Sequence, residues 1–347
     1  QLFSIGLVEL NLDGSVKQEN NQNIATYNQD IIKAFAHVYT GWNFTGTTVD
    51  TWWNFHQNYN TMEPMIAIPD FHDRSEKHLL NNVIIPENQS PEQDLAIALD
   101  NLFNHQNVAP FIGKQLIKKL VTSNPSPEYV ERVSLVFNDN GQGVRGDLAA
   151  VIKAILLDEE AIKGTENNPH FGKIREPLLR VVHLWRAFDA SSPNDRFEFG
   201  WPSHDFAQSP LGAHHVFNFF SPDYAPPGII SENNLIAPEL EIVTENYLTR
   251  TSNALASATL WGYTEFDNQH DNDGRILISL HSLQPLVDDT DKLLAYLDML
   301  LLGGTMSEEM RTILIEAFNG TSGLETNKRL VELLFLIMIS PQYTVQR

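Results

Sequence analysis

Ser90 to Ala161 carries four apolar stripes at helical spacing, separated by three short turns, and whatever fold the chain adopts has to cover them. Ser90-Pro91-Glu92-Gln93 starts the first helix: serine caps it, proline takes the position where a missing N–H costs nothing, and glutamine is placed to bond back. Leu95, Leu99, Leu102 and Phe103 form its stripe. Asn107 or Val108 opens the second, with Phe111, Ile112, Leu116 and Leu120 on one face and Lys114, Lys118 and Lys119 left to water near the negative end of the dipole. Thr122 to Pro127 stops it. Ser126-Pro127 begins a third, carrying Val130, Val133 and Phe137, and Asp147 caps a fourth with Leu148, Val151, Ile152, Ile155 and Leu156. Four amphipathic segments this close can cover one another. They predict a mainly α fold, an irregular multi-helix bundle with long ordered loops rich in Pro, Gly and aromatics and little or no β.

The other segments read as packing onto that nucleus, in a single helical domain over 1–347 with core helices in 90–161, a packing loop at 208–228 and C-terminal helices over 238–340. Leu2-Phe3-Ser4-Ile5-Gly6-Leu7 reads as the last turns of a helix whose beginning is missing, so the domain is expected to be truncated in front. Asn28 caps a helix with Ile31, Phe35, Val38 and Tyr39 that stops at Gly41. Arg175-Glu176-Pro177 opens another, with Leu178, Val181, Val182, Trp185 and Phe188 on one face and His183 off it. Residues 189–207 have no period and read as a long loop. In Gln208 to Gly228, prolines and glycines fix backbone direction while Phe217, Phe219 and Phe220 demand burial, which predicts a rigid loop pressed against helices. The acidic stretch Asp267 to Gly274 fails as a calcium loop, because Leu280 stands where a bidentate carboxylate is required.

A formal charge of -21 makes duplex DNA, RNA and anionic lipid poor partners, since each depends on clustered Lys and Arg. The absence of cysteine removes disulfides, thiolate nucleophiles and Cys-ligated metals. The most apolar run, Leu333 to Ile339, is about half the length a bilayer requires, so no membrane span is expected. Phosphate-cradling glycine loops, nucleophile elbows and zinc-helix motifs are missing, and no cofactor or metal is expected. His214-His215 reads as a surface pair, and Arg145-Gly146-Asp147 as the turn before a helix cap rather than an adhesion tripeptide.

Two constellations carry chemistry. Trp42 and then Trp52, Trp53, Phe55, His56 and Tyr59 crowd aromatic rings outside a clear helix, a pattern that serves either as a stacking platform for a sugar ring or as a plug on a core. With Asn218, Asp223 and Tyr224 of the second loop, they are the candidate contacts of a binding or assembly module for a glycan or a partner protein. The alternative is a hydrolase-like enzyme, with His72 or Asp73 as base, Glu76 as acid, and Arg145 or Arg175 steadying charge in the transition state. The same residues also fit an exposed turn of local ion pairs.

Ordered stretches along nearly the whole chain resemble the bacterial family known as domain of unknown function 1800. They are Tyr39-Thr40-Gly41-Trp42, His72-Asp73-x-x-Glu76-Lys77, Phe103-Asn104-His105 through Leu120-Val121-Thr122-Ser123-Asn124-Pro125, Gly143-Val144-Arg145-Gly146-Asp147-Leu148, Arg175-Glu176-Pro177-Leu178, Phe217 to Tyr224, and Ser340-Pro341-Gln342-Tyr343. The resemblance implies a mostly helical, exported bacterial protein, often encoded beside a second exported protein. It also implies a leader and a further helical segment ahead of the position matching Gln1. His214-His215 departs from the family pattern, so a metal site on that pair would be peculiar to this chain. The family name carries no reaction.

Overall fold

The computed structural model describes residues 3–54, 60–260 and 275–347, and the chain forms two compact units. Unit 1 comprises Gln1–Ile117 and Pro125–Asp158; unit 2 comprises Lys118–Asn124 and Glu159–Arg347. The chain is mainly α, as its periodicity predicts, and every strand ladder among the described residues is a two-residue antiparallel pair.

Unit 1 opens with β1 (Gln18–Glu19) and β2 (Gln22–Asn23), joined by Asn20 and Asn21, both at positive φ, the geometry a two-residue hairpin turn demands. Ahead of them, Phe3 to Ile5 is a turn followed by single bridges at Val8 and Leu10, rather than the helix end expected there. The physical reason lies 100 residues away in sequence: the buried Asn107 amide donates to Ile5 O and Val8 O and accepts from Leu10 N, holding the segment extended. Asn28 caps α1 (Gln29–Val38) by accepting from Asp30 N and Ile31 N. β3 (Trp42–Asn43) pairs with β4 (Ile66–Ala67), and β5 (Lys77–His78) with β6 (Ile84–Ile85). The predicted helices follow as α2 (Pro91–Phe103), with a complete capping box on Ser90 and Gln93, α3 (Val108–Leu120), α4 (Pro127–Asn138), capped by Ser126, and α5 (Leu148–Leu157), capped by Asp147.

In α4 the expected stripe of Val130, Val133 and Phe137 is buried, but in α2 and α5 the buried faces differ from the stripes. In α2 the enclosed residues are Pro91, Asp94, Ala98 and Asn101, while Leu99 is 52% exposed and Phe103 is also exposed. In α5 Val151 and Ile155 are buried against α4, where Tyr129 donates its hydroxyl to Ile155 O at 2.6 Å, and Leu148, Ile152 and Leu156 face outward. An apolar stripe wider than the available partner leaves its flanks in water.

Unit 2 contains α6 (Glu159–Asn167), β7 (Lys173–Ile174), α7 (Pro177–Ala187), α8 (Pro202–Phe206), α9 (Ile229–Glu232), α10 (Glu245–Leu260), α11 (Thr290–Leu297), α12 (Glu308–Gly320), α13 (Thr326–Met338), α14 (Pro341–Thr344) and β8 (Val345–Gln346), which returns to pair with β7. Leu184, Phe188, Leu255, Leu297, Leu334 and Ile337 are among the residues that fill its core. The stretch expected as a long loop contains α8, and it is ordered by rings: Phe199 lies 4.9 Å from Trp185 and edge-on to the buried Phe206. The acidic stretch 267–274 lies outside the described residues.

In the 208–228 loop only Phe220 of the three phenylalanines is buried, and Phe217 is exposed. The loop is held instead by Lys118, whose Nζ donates to Pro222 O and lies 2.8 Å from Asp223 Oδ1, and by Lys119, whose ammonium stands 4.4 Å over the Phe220 ring. Lys118 is therefore buried, not solvated as its place on the helical wheel predicts: a carbonyl and a carboxylate replace its water.

Candidate functional site

The motif around position 40 and the motif around position 72 meet in unit 1. Gly41 has φ +83°, and a Cβ there would stand 3.0 Å from His72 N and Cβ, so glycine allows the two segments to touch. His72 is fully enclosed, its Nδ1 3.0 Å from Thr40 O and its Nε2 3.1 Å from Asp94 Oδ2. A carbonyl only accepts, so Nδ1 carries a proton, and the contact with Asp94 needs one more, on the ring or on the carboxyl. Lys77 spends its three donors on Asp73 O at 2.7 Å, Ser75 O at 2.9 Å and Asp94 Oδ2 at 2.9 Å. Asp94 Oδ1 is buried without a hydrogen-bond partner.

Asp73 sits at the edge of this cluster, 3.5 Å from Lys77 and 3.4 Å from His37 Nδ1. Its carboxyl is held below the usual carboxylate range, chiefly by the Ser75 hydroxyl. Glu76 turns away and pairs with His78 at 2.8 Å, both half in water. Arg145 is engaged elsewhere in unit 1, on Phe103 O, His105 O and Asn138, with its guanidinium over the Phe103 and Phe137 rings. The structure thus gathers His72 and Asp73 around Lys77 and Asp94, and leaves Glu76 and Arg145 out of that hydrogen-bonded group. As an arrangement of charges it cross-links the end of α1, the 72–78 segment and α2.

The aromatic candidates lie on the same unit. Trp42 is half-buried, its indole N–H enclosed without an acceptor. Trp52 stacks on Phe71 at 4.1 Å and 18°, and its carbonyl accepts from Asn43 Nδ2. Trp53 stands edge-on to Trp52 and is 76% exposed. Phe55, His56 and Tyr59 lie outside the described residues.

In unit 2, Asn218 adopts φ +72° and closes a tight turn onto His215 O, Asp223 is the Lys118 anchor, and the Tyr224 carbonyl accepts from Ala237 N. Arg175 donates to Tyr343 O at 2.9 Å and lies 4.6 Å over the Tyr343 ring. Tyr343 is enclosed and donates its hydroxyl proton to Arg180 O at 2.7 Å, so the 3.0 Å contact from His183 Nδ1 assigns the imidazole proton to Nδ1. Burial lowers Arg180 to about 10 and pushes the Tyr343 hydroxyl up. Among the described residues no three His, Asp or Glu side chains converge as a metal ion would require, and no helix is long and apolar enough to cross a membrane.

A family model described as Protein of unknown function (DUF1800) matches residues 1–345. The chain belongs to that family. No curated protein and no solved structure was found to match it.

In this DUF1800 chain the residues that sequence reasoning missed are Asp94 and Tyr343 as the hubs of the two clusters. The signal for Asp94 was its place at helical spacing with Pro91, Ala98 and Asn101, a row of small and polar residues opposite the leucines. The Tyr343 cluster also titrates. Burial, and then the Arg175 charge, push His183 down to about 4, so between pH 6.5 and 4 the unfolded chain binds a proton that the folded chain does not. Stability is full above pH 6.5 and falls as pH drops toward 4. Partial exposure of the ring discounts the full linkage value, and we expect this site to account for about 2 kcal/mol of the loss. Denaturant unfolding of His183→Asn, which retains a donor toward Tyr343, is expected to show a flatter pH dependence over that window; an unchanged slope refutes the assignment.

Proposed function

We propose that this DUF1800 chain is a binding module that docks an exported partner protein through the tryptophan corner at 52–53. The observation that carries the reading is the contrast between the two rings. Trp52 is clamped face to face on Phe71, while Trp53, carried on the same pinned backbone, keeps 76% of its surface in water. A large rigid side chain held outward loses little conformational entropy on binding, and tryptophan is the residue type most enriched at energetic centres of interfaces. Val49, Met62 and Met65, which among the described residues are the large apolar side chains exposed nearest to it in sequence, favour a protein surface over a sugar, which needs donors and acceptors beside the ring. Export follows the family resemblance. The enzyme reading has weaker support, because His72 offers no exposed surface to a substrate.

The test is affinity capture of exported proteins on the immobilised chain and on Trp53→Ser. Loss of roughly thirtyfold in affinity for a saturable protein partner is expected, the size of a hot-spot truncation. Binding unchanged by Trp53→Ser refutes the site, and a glycan-array signal that Trp53→Ser abolishes reassigns it to sugar.

A further inference from the structure

Unit 2 holds a cavity of about 300 Å³, at the lower end of the range of small-molecule sites. Its walls come from four separate stretches of chain: 123–124, 169–174, 230–237 and 345–347. They are tied to each other by side chains. Thr122 Oγ1 contacts both Gly172 O and Gly172 N, at 3.0 and 3.1 Å, and the Asn124 amide brackets Ile236, accepting from its N–H and donating to its carbonyl at 2.9 Å each. Gly172 has φ +118°, and a Cβ there would stand 2.5 Å from Gln346 O, so the wall tolerates no side chain at that point. The cavity is therefore built on cross-linked backbone.

Its lining divides by chemistry. Phe171, Ile174, Leu235 and Val345 supply apolar wall. His170 and Arg347 are exposed, and among the described residues neither ring nor guanidinium is engaged by a hydrogen bond or an ion pair. Lys173 also lines the cavity, but its ammonium is already held by Lys119 O at 2.9 Å and Glu239 at 3.6 Å. Among the described residues no Asp or Glu side chain lines the space, in a chain whose formal charge is -21. A cavity lined by a guanidinium, an imidazole and apolar side chains selects an anion with a hydrophobic body, because the guanidinium fork matches a carboxylate while the apolar walls disfavour a compact hydrated ion.

We propose that this cavity binds a small organic carboxylate, its carboxylate taken by Arg347 and His170 and its apolar body lodged against Phe171, Ile174, Leu235 and Val345. This site is independent of the tryptophan corner in unit 1.

The experiment is isothermal titration of the full chain with benzoate and hexanoate, with benzamide and hexanamide as neutral counterparts, and with inorganic phosphate. Saturable binding of one of the acids is expected, with its amide and the Arg347→Ala variant each weaker by about tenfold or more, and His170→Ala weaker as well. Both substituted positions are exposed, so circular dichroism should report an unchanged fold. Ile230→Trp, which places bulk in the cavity, is expected to abolish binding with the fold retained. The proposal is overturned if the acid and its amide bind equally, if Arg347→Ala leaves affinity unchanged, if phosphate binds and neither acid does, or if neither acid binds at concentrations on the order of 10 mM.

Discussion

Asp94→Ala is expected to lower the stability of unit 1 by about 3–5 kcal/mol, the range for removing one partner of a buried ion pair. Among the described residues, Asp94 is the acceptor that touches both Lys77, at 2.9 Å, and His72, at 3.1 Å, and all three side chains are essentially without exposed surface. Without the carboxylate, Lys77 keeps two backbone carbonyls and the weaker contact to Asp73, while His72 Nε2 faces a cavity. Lys77→Met is a smaller perturbation, since Asp94 retains His72. The expected order is therefore Asp94→Ala well below Lys77→Met, read as loss of hydrogen-exchange protection at α1 and α2 amides, which reports on unit 1 alone. A loss under about 1 kcal/mol for Asp94→Ala, or a larger one for Lys77→Met, would show that the cluster does not hold these segments together.

Tyr343→Ala is expected to cost unit 2 about 3–5 kcal/mol, the range for truncating a buried large side chain. The ring has no exposed surface, lies beneath the Arg175 guanidinium and stacks on His183 at 5.6 Å. Its hydroxyl serves Arg180 O and His183 Nδ1 together. Truncation opens a cavity and leaves a buried carbonyl and an imidazole N–H unpaired. Tyr343→Phe separates these contributions: it keeps the packing and loses the hydroxyl, for about 1–3 kcal/mol. Protection of α7 amides is the readout, and equal losses for the two variants would mean that the hydroxyl, not the ring, supplies the stability.

The candidate site was half legible before the structure. His72, Asp73 and Lys77 stand within six positions of each other and draw attention as a group. Their shared carboxylate does not, because Asp94 lies on a helix whose leucines suggest the opposite face. Glu76 looks equivalent to Asp73 in sequence, yet the strand at β5 points it toward His78. Tyr343 is separated by 160 positions or more from Arg175, Arg180 and His183, a distance over which no local pattern extends. Trp52 and Trp53 are adjacent and chemically identical, and among the described residues it is Phe71, stacked on the Trp52 ring, and Asn43, bonded to the Trp52 carbonyl, that set them apart.

What the sequence by itself determined is where helices begin and end and that the fold is mainly α. Ser90, Ser126, Asp147 and Ser340 each bond backbone N–H groups two or three residues ahead, and prolines follow three of them, so those boundaries are settled by interactions within one turn. The tertiary structure decided which face of each helix is buried and which charges meet. Burial depends on what arrives from elsewhere in the chain: Asp94 goes inside because His72 and Lys77 lie against it, and Ala98, one turn on, packs on Val38, Leu79 and Ile85, while Leu99 stays in water.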